Sequence, residues 1–274
     1  MSTAEYKGII VHYSDTGTGV PVVLLHAGAS SGTQWKGVVP SLGQQYRTIA
    51  PDLIGFGQTA SWPGPDELTH DAQAGLVSTV LNAVGVGVVH VVGHSYGGAT
   101  ALRFALQDPQ RVRSLSLIEP QVAPILLQAG EQALWQEYGS FAQRFIDLAR
   151  QGDQELAWVT FIDVRNGPGS WEKLPAKART RFLRITNQLI DAFASNLGNP
   201  TSLDDCRTIS APTLIVCGGA TTAPDRRVTQ ILRETIPNSE YAVIPDAGHM
   251  SPLTHPGEVA KLLLAHLSRQ TQPA

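Results

Sequence analysis

A serine flanked by glycines follows an apolar run in this chain, and no other feature constrains the fold as strongly. Residues 88–98 read Val-Val-His-Val-Val-Gly-His-Ser-Tyr-Gly-Gly, which places Ser95 between Gly93 and Gly97. A serine on a sharp strand-to-helix turn has an exposed oxygen and a strained backbone, and side chains two positions away on either side would collide. Residues 98–106 then have the periodicity of a helix. The pattern predicts a strand, a tight turn with a nucleophilic serine, and a helix.

The same five-residue pattern occurs a second time, at 28–32, with Ser30 at its centre. Such short patterns arise by chance, so their context has to distinguish the two serines. Ser30 lies in a looser loop after the apolar run 22–25, whereas the glycine before Ser95 directly abuts its strand. We therefore predict that Ser95 is the nucleophile.

Short apolar runs alternate with helical patterns along the chain. Several runs are too uniformly apolar for a sheet with one face in water, so they predict strands buried on both faces, as in a parallel sheet. Helical periodicity is clear at 68–84 and 256–267. The predicted fold class is α/β, with a mostly parallel twisted sheet flanked by helices. Its predicted strands are 21–26, 47–51, 88–92, 112–118, 213–217 and 241–245.

One long interval interrupts this alternation. From 121 to 205, helical patterns continue without a convincing strand, over a length well beyond an ordinary connection. We predict a helical cap at 121–205, inserted into an α/β core formed by 1–120 and 206–274. Many aromatic residues fall in the cap, and we expect most of them to pack in its own core and the rest to roof a pocket. These residues are Trp135, Tyr138, Phe141, Phe145, Trp158, Phe161, Trp171, Phe182 and Phe193.

Bulk properties exclude several classes of partner. A chain of 274 residues, 42% of them hydrophobic, suits one large domain with an insertion. The net charge of -3, without a run of like charges, offers no surface for nucleic acid. Because no apolar run could span a bilayer and the N-terminus lacks the layout of a secretion signal, we predict no membrane association and a cytoplasmic location. No zinc-like or phosphate-binding spacing occurs, so we predict no metal and no cofactor, and a small-molecule substrate as partner.

A serine hydroxyl needs a base, and histidine has the suitable pKa. His249 follows the last predicted strand, in the run Pro-Asp-Ala-Gly-His-Met-Ser-Pro at 245–252. A loop in this position starts at the carboxyl edge of the sheet, where Ser95 also emerges. Most other histidines fall within predicted strands or helices or beside loops, where a structural role is expected. We predict that His249 is the base.

Taken in order, these motifs resemble those of the α/β-hydrolase fold, in its capped form with a serine nucleophile, over nearly the whole chain. Residues 93–98 resemble the nucleophile elbow of that family, 23–28 its oxyanion loop, 50–57 the turn after its next strand, and 248–249 its base. We expect Asp52 to brace the 50–57 turn by bonding to its backbone.

An oxyanion hole requires two backbone N–H groups that point at the developing negative charge. The geometry of the elbow assigns one of them to Tyr96. The resemblance implies Gly28 as the second donor, although Ala27 stands where the family more often has glycine.

The acid is the part that departs from the family pattern. In many relatives it follows the strand that corresponds to 213–217, but here the next residues are Gly-Gly-Ala-Thr-Thr, and no carboxylate occurs before Asp225. An acid is needed to hold the imidazole in the right tautomer and to stabilise its charged form.

Glu119 supplies an alternative, because it ends the strand next to the elbow strand at the same carboxyl edge of the sheet. The placement resembles that in some other α/β-hydrolases, including a branch of the haloalkane dehalogenases. We predict Glu119 as the acid. Asp225 and Asp246 remain alternatives, Asp246 the weaker because it is too near His249 in sequence to reach behind the ring.

These parts predict a carboxylesterase-like serine hydrolase that cleaves an ester or related acyl bond of a small, partly apolar substrate through an acyl-enzyme. Serine at position 95 argues against the dehalogenase and epoxide-hydrolase branches, whose covalent ester step resembles one that needs an aspartate. Three alternatives stay open: a carbon–carbon bond hydrolase for a diketone-like substrate, a cofactor-free oxygenase with His249 as base, and a slow-turnover small-molecule receptor.

Overall fold

Eight strands form a single sheet in the computed structural model, which describes residues 1–64 and 66–270. The strand order is β1-β2-β4-β3-β5-β6-β7-β8. From β4 to β8 every neighbouring pair is parallel, while β1 and β2 are antiparallel to their neighbours. This architecture confirms the predicted mostly parallel α/β sheet. The strands are β1 Ser2–Tyr6, β2 Ile9–Thr16, β3 Val20–Leu25, β4 Tyr46–Pro51, β5 Val89–His94, β6 Val112–Ile118, β7 Thr213–Gly218 and β8 Ser239–Ile244.

Every strand predicted from an apolar run is present, but β1 and β2 were not among those runs. Both strands lie at the antiparallel edge of the sheet, where burial alternates along β2 and most of β1 is exposed. An edge hairpin of this kind lacks the uniformly apolar run that indicates a strand buried on both faces. The search for such runs therefore missed it.

Helices cover both faces of the sheet, because successive residues of each strand point to opposite sides. Val23 and Leu25 belong to the apolar cluster of α2, α3 and α10, whereas Val22 and Leu24 belong to that of α12. The helices are α1 Val39–Leu42, α2 His70–Ala83, α3 Tyr96–Gln107, α4 Pro124–Gln128, α5 Gln132–Arg150, α6 Gln154–Asn166, α7 Ala176–Arg184, α8 Thr186–Leu197, α9 Leu203–Arg207, α10 Ala223–Thr235, α11 Ser251–Thr254 and α12 Pro256–Arg269.

Helices α4 to α9 occupy the interval between β6 and β7, and no strand occurs between Ile118 and Thr213, a stretch that the structure describes completely. Six of the nine aromatic side chains of this interval fall into two groups. Phe145, Trp158 and Trp171 are fully buried among each other, whereas Phe161, Phe182 and Phe193 face the cavity described below.

No helix in the described part of the chain is both long enough and apolar enough to cross a membrane.

Candidate active site

Ser95 lies at a sharp turn between β5 and α3. Its backbone has φ 56° and ψ -118°, in a region that non-glycine residues rarely adopt. A Cβ atom on Gly93 would lie 2.3 Å from the carbonyl oxygen of Gly97, and one on Gly97 would lie 2.4 Å from that of Leu25. Both glycines are therefore required sterically, as the sequence predicted.

Backbone hydrogen bonds connect this turn to the end of β6. The Ser95 N–H donates to the carbonyl of Ile118 (2.9 Å), and the Gln121 N–H donates to the carbonyl of Ser95 (3.1 Å). Glu119, between them in sequence, also has positive φ, at 42°. Strained backbone concentrates at functional sites when the surrounding structure holds it in place. The turn and the strand end thus form one rigid unit.

A hydrogen-bond chain joins the three residues that were predicted as catalytic. The His249 ring lies with Nε2 2.9 Å from Ser95 Oγ and Nδ1 2.6 Å from Glu119 Oε2. All three residues are buried. Since the carboxylate can only accept, Nδ1 carries the proton, and the bare Nε2 accepts from the serine hydroxyl. This is the tautomer that a general base requires.

Two donors hold the carboxylate of Glu119. The backbone N–H of Gly218, at the end of β7, donates to Oε1 at 2.6 Å, and the Thr221 hydroxyl donates to Oε2 at 2.8 Å. Thr221 thus lies in the segment where the family pattern would have placed the acid, and it donates to the carboxylate of Glu119 instead. This supporting role of Thr221 was not anticipated from the sequence.

The alternative acids are placed differently. Asp246 is exposed and makes no hydrogen bond to His249. Asp225 is buried, with Oδ2 3.7 Å from Nδ1 of His249, beyond hydrogen-bond distance. Burial alone would raise the pKa of Asp225, but the guanidinium of Arg165 and the nearby imidazole hold it below its ordinary range. Asp225 is therefore a carboxylate at neutral pH.

Ser95 and His249 open onto a cavity of about 270 Å³. Ser30, the centre of the second glycine–serine pattern, also lines this cavity, but its hydroxyl makes no hydrogen bond to a described residue. Much of the remaining lining is apolar and comes from α6 to α8 and the segments between them. It includes Phe161, Ile162, Leu174, Phe182, Leu189 and Phe193.

The two residues predicted as oxyanion donors, Tyr96 and Gly28, both line the cavity. Tyr96 is the first residue of α3, so its N–H has no partner within the helix. The N–H of Gly28 makes no hydrogen bond to any described residue, whereas that of Ala27 donates to Gln34 Oε1 at 3.1 Å. Ala27 is already paired, whereas Gly28 and Tyr96 each bring to this wall an N–H group without a partner among the described residues.

Gln34 and His94 link the loop after β3 to the backbone of His249. Gln34 Nε2 donates to His94 Nδ1 (3.1 Å), and His94 Nε2 donates to the backbone carbonyl of His249 (2.8 Å). Burial lowers the pKa of His94 well below its ordinary value, so the ring is neutral and suits one donor and one acceptor. Gln34 has no sequence signal beyond its proximity to the loop, and this role was not predicted.

Gln34→Met should destabilise the fold by about 1–3 kcal/mol, because it leaves the buried Ala27 N–H and His94 Nδ1 without partners. Urea unfolding monitored by fluorescence measures this loss. Gln143→Met, on the exposed face of α5, is the matched control and should change stability by less than about 0.5 kcal/mol. Equal effects of the two variants would contradict the role given to Gln34.

The loops after β3 and β4 are tied to each other. Asp52 accepts from the backbone N–H groups of Gly32 and Gln58, both at 2.8 Å, which confirms the predicted bracing. His26 Nδ1 donates to the carbonyl of Ala27 (2.7 Å), and its Nε2 accepts from the Leu53 N–H (2.9 Å). His26 must be neutral in this arrangement, because a proton on Nε2 would oppose that N–H.

Burial lowers the pKa of His26 from its ordinary 6.5 to about 4, against smaller opposing effects of Ala27 and Asp52. As the pH falls from 6.5 towards 4, the unfolded chain binds a proton that the folded chain refuses, so this contribution to stability is lost. The slope is at most about 1.4 kcal/mol per pH unit. Urea unfolding at several pH values should therefore show the stability difference between wild type and His26→Gln shrinking on acidification. A difference that is constant from pH 7 to 5 would contradict this prediction.

One cluster in the described part of the chain has the composition of a metal site. Glu119, Asp225 and His249 bring potential ligand atoms within 4.8 Å of one another. Each carboxylate already accepts hydrogen bonds from protein donors, and Arg165 supplies the positive charge that a cation would bring. The donor set therefore suits a hydrogen-bonded network better than a metal ion.

The fold is that of an α/β hydrolase. It is defined by the strand order, by the sharp turn at Ser95, and by the buried hydrogen-bond chain of Ser95, His249 and Glu119. Residues 20–256 match the α/β hydrolase fold family, and the chain belongs to it.

Among its relatives, the chain is 27% identical to the 2-hydroxymuconate semialdehyde hydrolase of Pseudomonas sp. (strain CF600), over 93% of this chain and 89% of the relative. It is 32% identical to the 2-hydroxy-6-oxo-6-phenylhexa-2,4-dienoate hydrolase of Comamonas testosteroni, over 80% of this chain and 77% of that relative. Among solved structures, a thermophilic esterase from Thermogutta terrifontis is similar, with a TM-score of 0.77 and 29% identity over 98% of this chain and 97% of the other.

Proposed function

We propose that this protein is a serine-dependent hydrolase that cleaves an ester or related acyl bond of a small, partly apolar substrate through an acyl-enzyme. The observation that carries the proposal is the hydrogen-bond chain from Glu119 through His249 to Ser95, which ends in a cavity with two unpaired N–H groups. A nucleophile, a base in the correct tautomer and donors for an oxyanion are the parts that acyl transfer needs.

In the first half of the reaction, Ser95 Oγ attacks the carbonyl carbon of the substrate while its proton passes to His249 Nε2. Glu119 stabilises the resulting imidazolium without taking the proton itself. The carbonyl oxygen becomes an oxyanion and accepts from the N–H groups of Gly28 and Tyr96. The imidazolium then protonates the leaving alcohol, which departs and leaves an ester on Ser95.

In the second half, water takes the place of the alcohol. His249 removes a proton from the water, which attacks the acyl carbon, and the same oxyanion donors stabilise the second tetrahedral intermediate. Collapse returns the proton to Ser95 Oγ and releases the carboxylic acid. Each half uses the same base, because the proton that the imidazole gains is returned at the end of the step.

The substrate class follows from the cavity. Its volume of about 270 Å³ admits a small molecule, and side chains such as Phe161, Phe182 and Phe193 favour an apolar group. We propose that residues 121–205 act as the cap of the enzyme and roof this cavity, because α6 to α8 supply much of its apolar lining.

Carbon–carbon bond hydrolysis is the second candidate, and the names of two relatives favour it. A 2-hydroxy-6-oxo-6-phenylhexa-2,4-dienoate contains no ester or amide, so water can split its chain only by breaking a carbon–carbon bond beside the ketone. Serine, base and oxyanion donors could serve that reaction as well, with carbon in place of the alcohol as leaving group.

Two substrate sets distinguish the candidates. The protein is incubated with short and aromatic p-nitrophenyl esters, and separately with 2-hydroxy-6-oxo-6-phenylhexa-2,4-dienoate. We expect a burst of p-nitrophenol equal to the enzyme concentration, and a higher kcat/KM for the esters. A higher kcat/KM for the dienoate would favour the second candidate. If the protein hydrolyses neither set, both candidates are wrong. Oxygen uptake would then favour an oxygenase, and tight binding without turnover would favour a receptor.

A further inference from the structure

A second buried carboxylate lies beside the base. Asp225, in the first turn of α10, is 3% exposed, and its Oδ2 lies 3.7 Å from Nδ1 of His249. Glu119 already accepts from that nitrogen at 2.6 Å. A single imidazole N–H therefore has two carboxylates within 4 Å, of which only one is hydrogen-bonded to it.

Arg165, on α6, accounts for this difference. Its side chain is 5% exposed, and its Nη1 forms an ion pair with Asp225 Oδ2. Gln121 closes the network, since its Nε2 donates to Asp225 Oδ1 at 2.8 Å and its Oε1 accepts from Arg165 Nη2 at 3.3 Å. Thr222 donates a further hydrogen bond to Oδ2 at 2.7 Å. Both oxygens of the Asp225 carboxylate therefore accept from donors other than the imidazole.

We propose that the Arg165–Asp225 pair is a positioning device for the base: Arg165 neutralises and withholds the second carboxylate, so that Glu119 alone orients His249. This inference rests on the proposed function, in which His249 must be neutral to accept the serine proton. A free carboxylate at this distance would stabilise the imidazolium and compete for the Nδ1 proton. Because Arg165 comes from α6 and lines the cavity, the device also couples the position of that helix to the base.

The polar groups of His94, Tyr138 and Ser95 carry no charge that could neutralise the carboxylate of Asp225. His94, at the end of β5, is kept neutral by burial, and Tyr138, on α5, is neutral because burial raises its pKa well above the physiological range. Ser95 carries no charge before reaction. Within the described part of the chain, the carboxylates that lie within 4 Å of the imidazole are those of Glu119 and Asp225, and Arg165 is the cation paired with the second of them.

A double-mutant cycle tests the proposal through opposite signs. Arg165→Met leaves the charge of Asp225 uncompensated, so the acidic limb of kcat/KM should move to higher pH, by about 1 unit. Asp225→Asn leaves the charge of Arg165 uncompensated and should move the limb to lower pH. The double variant removes both charges, and its limb should return close to that of wild type. Arg165→Lys, which keeps the charge, should also stay close to wild type.

The test still works if one single variant fails to fold. The other single variant is then compared with the double variant, which carries neither charge, and the acidic limb of kcat/KM should differ between them with the predicted sign. If all the folded variants keep the wild-type limb and lose only stability, the pair is structural and the proposal is wrong.

A titration of the His249 ring by NMR, assigned through its absence in His249→Gln, reports the same shifts without any substrate. Shifts of the predicted signs in a protein that hydrolyses no ester would overturn the proposed function and leave this inference standing. If the variants hydrolyse esters but the titration of the His249 ring does not shift, this inference is wrong and the proposed function stands.

Discussion

Ser95→Ala should lower kcat for ester hydrolysis by about 10⁶-fold and abolish the burst. The substitution removes the oxygen that we propose forms the acyl-enzyme, while His249 and the N–H groups of Gly28 and Tyr96 remain in place. Some rate above the uncatalysed reaction should persist, because oxyanion donors and binding act without the nucleophile. Stopped-flow kinetics measure the burst, and mass spectrometry of a quenched reaction measures the mass of the acyl-enzyme. Ser95 is small and buried, so the variant should fold.

Ser30→Ala is the matched control, because this serine lines the same cavity and stands at the centre of the same five-residue pattern. No histidine is hydrogen-bonded to it in the described structure, and we expect less than about a tenfold change in kcat. A large loss in Ser30→Ala together with an active Ser95→Ala would reverse the assignment. Unchanged turnover of a substrate in both variants would instead favour chemistry in which His249 alone acts as base.

Glu119→Gln should lower kcat by about 10⁴-fold with little change in KM. The amide has nearly the shape of the carboxylate but no charge, so it cannot stabilise the imidazolium that forms as Ser95 attacks. Its amide group can also present a donor to His249 Nδ1, which favours the wrong tautomer. Steady-state kinetics on the best ester measure the loss, and circular dichroism shows whether the variant is folded.

Asp225→Asn is the comparison for this variant, because Asp225 is the other carboxylate near His249 Nδ1. With each variant measured at its own pH optimum, we expect the activity of Asp225→Asn to be at least about 100-fold higher than that of Glu119→Gln. The reason is that the Asp225 side chain makes no hydrogen bond to the His249 ring. If Asp225→Asn proved the more damaging substitution, the acid would be Asp225.

Local sequence was sufficient where the residue types that mark a feature stand only a few positions apart. The turn at Ser95 needs glycine at 93 and 97, and an apolar run before it, so the strand, turn and helix could all be predicted from a short segment. Strands buried on both faces, such as β5 and β7, were predictable for a similar reason. The edge strands β1 and β2 were missed because their burial is decided by what packs on them.

The acid shows where local information ends. Glu119 could be proposed from its position at a strand end, but Asp225 could not be rejected, because both residues were expected near the carboxyl edge of the sheet. The nearest oxygen of Glu119 lies 2.6 Å from His249 Nδ1, and that of Asp225 lies 3.7 Å from it. A difference of this size depends on the rotamers and partners of each side chain.

By itself, the sequence determined the α/β sheet, the nucleophile turn and the order of the motifs, since each depends on residues close together in the chain. Only the tertiary structure decided how Arg165 pairs with Asp225, and that Gln34 occupies the N–H of Ala27 and leaves that of Gly28 free. Hydrogen bonds between side chains as far apart in sequence as 130 positions, as in His249 and Glu119, require atoms within about 3 Å. Packing of the whole chain sets such distances, and no local pattern contains them.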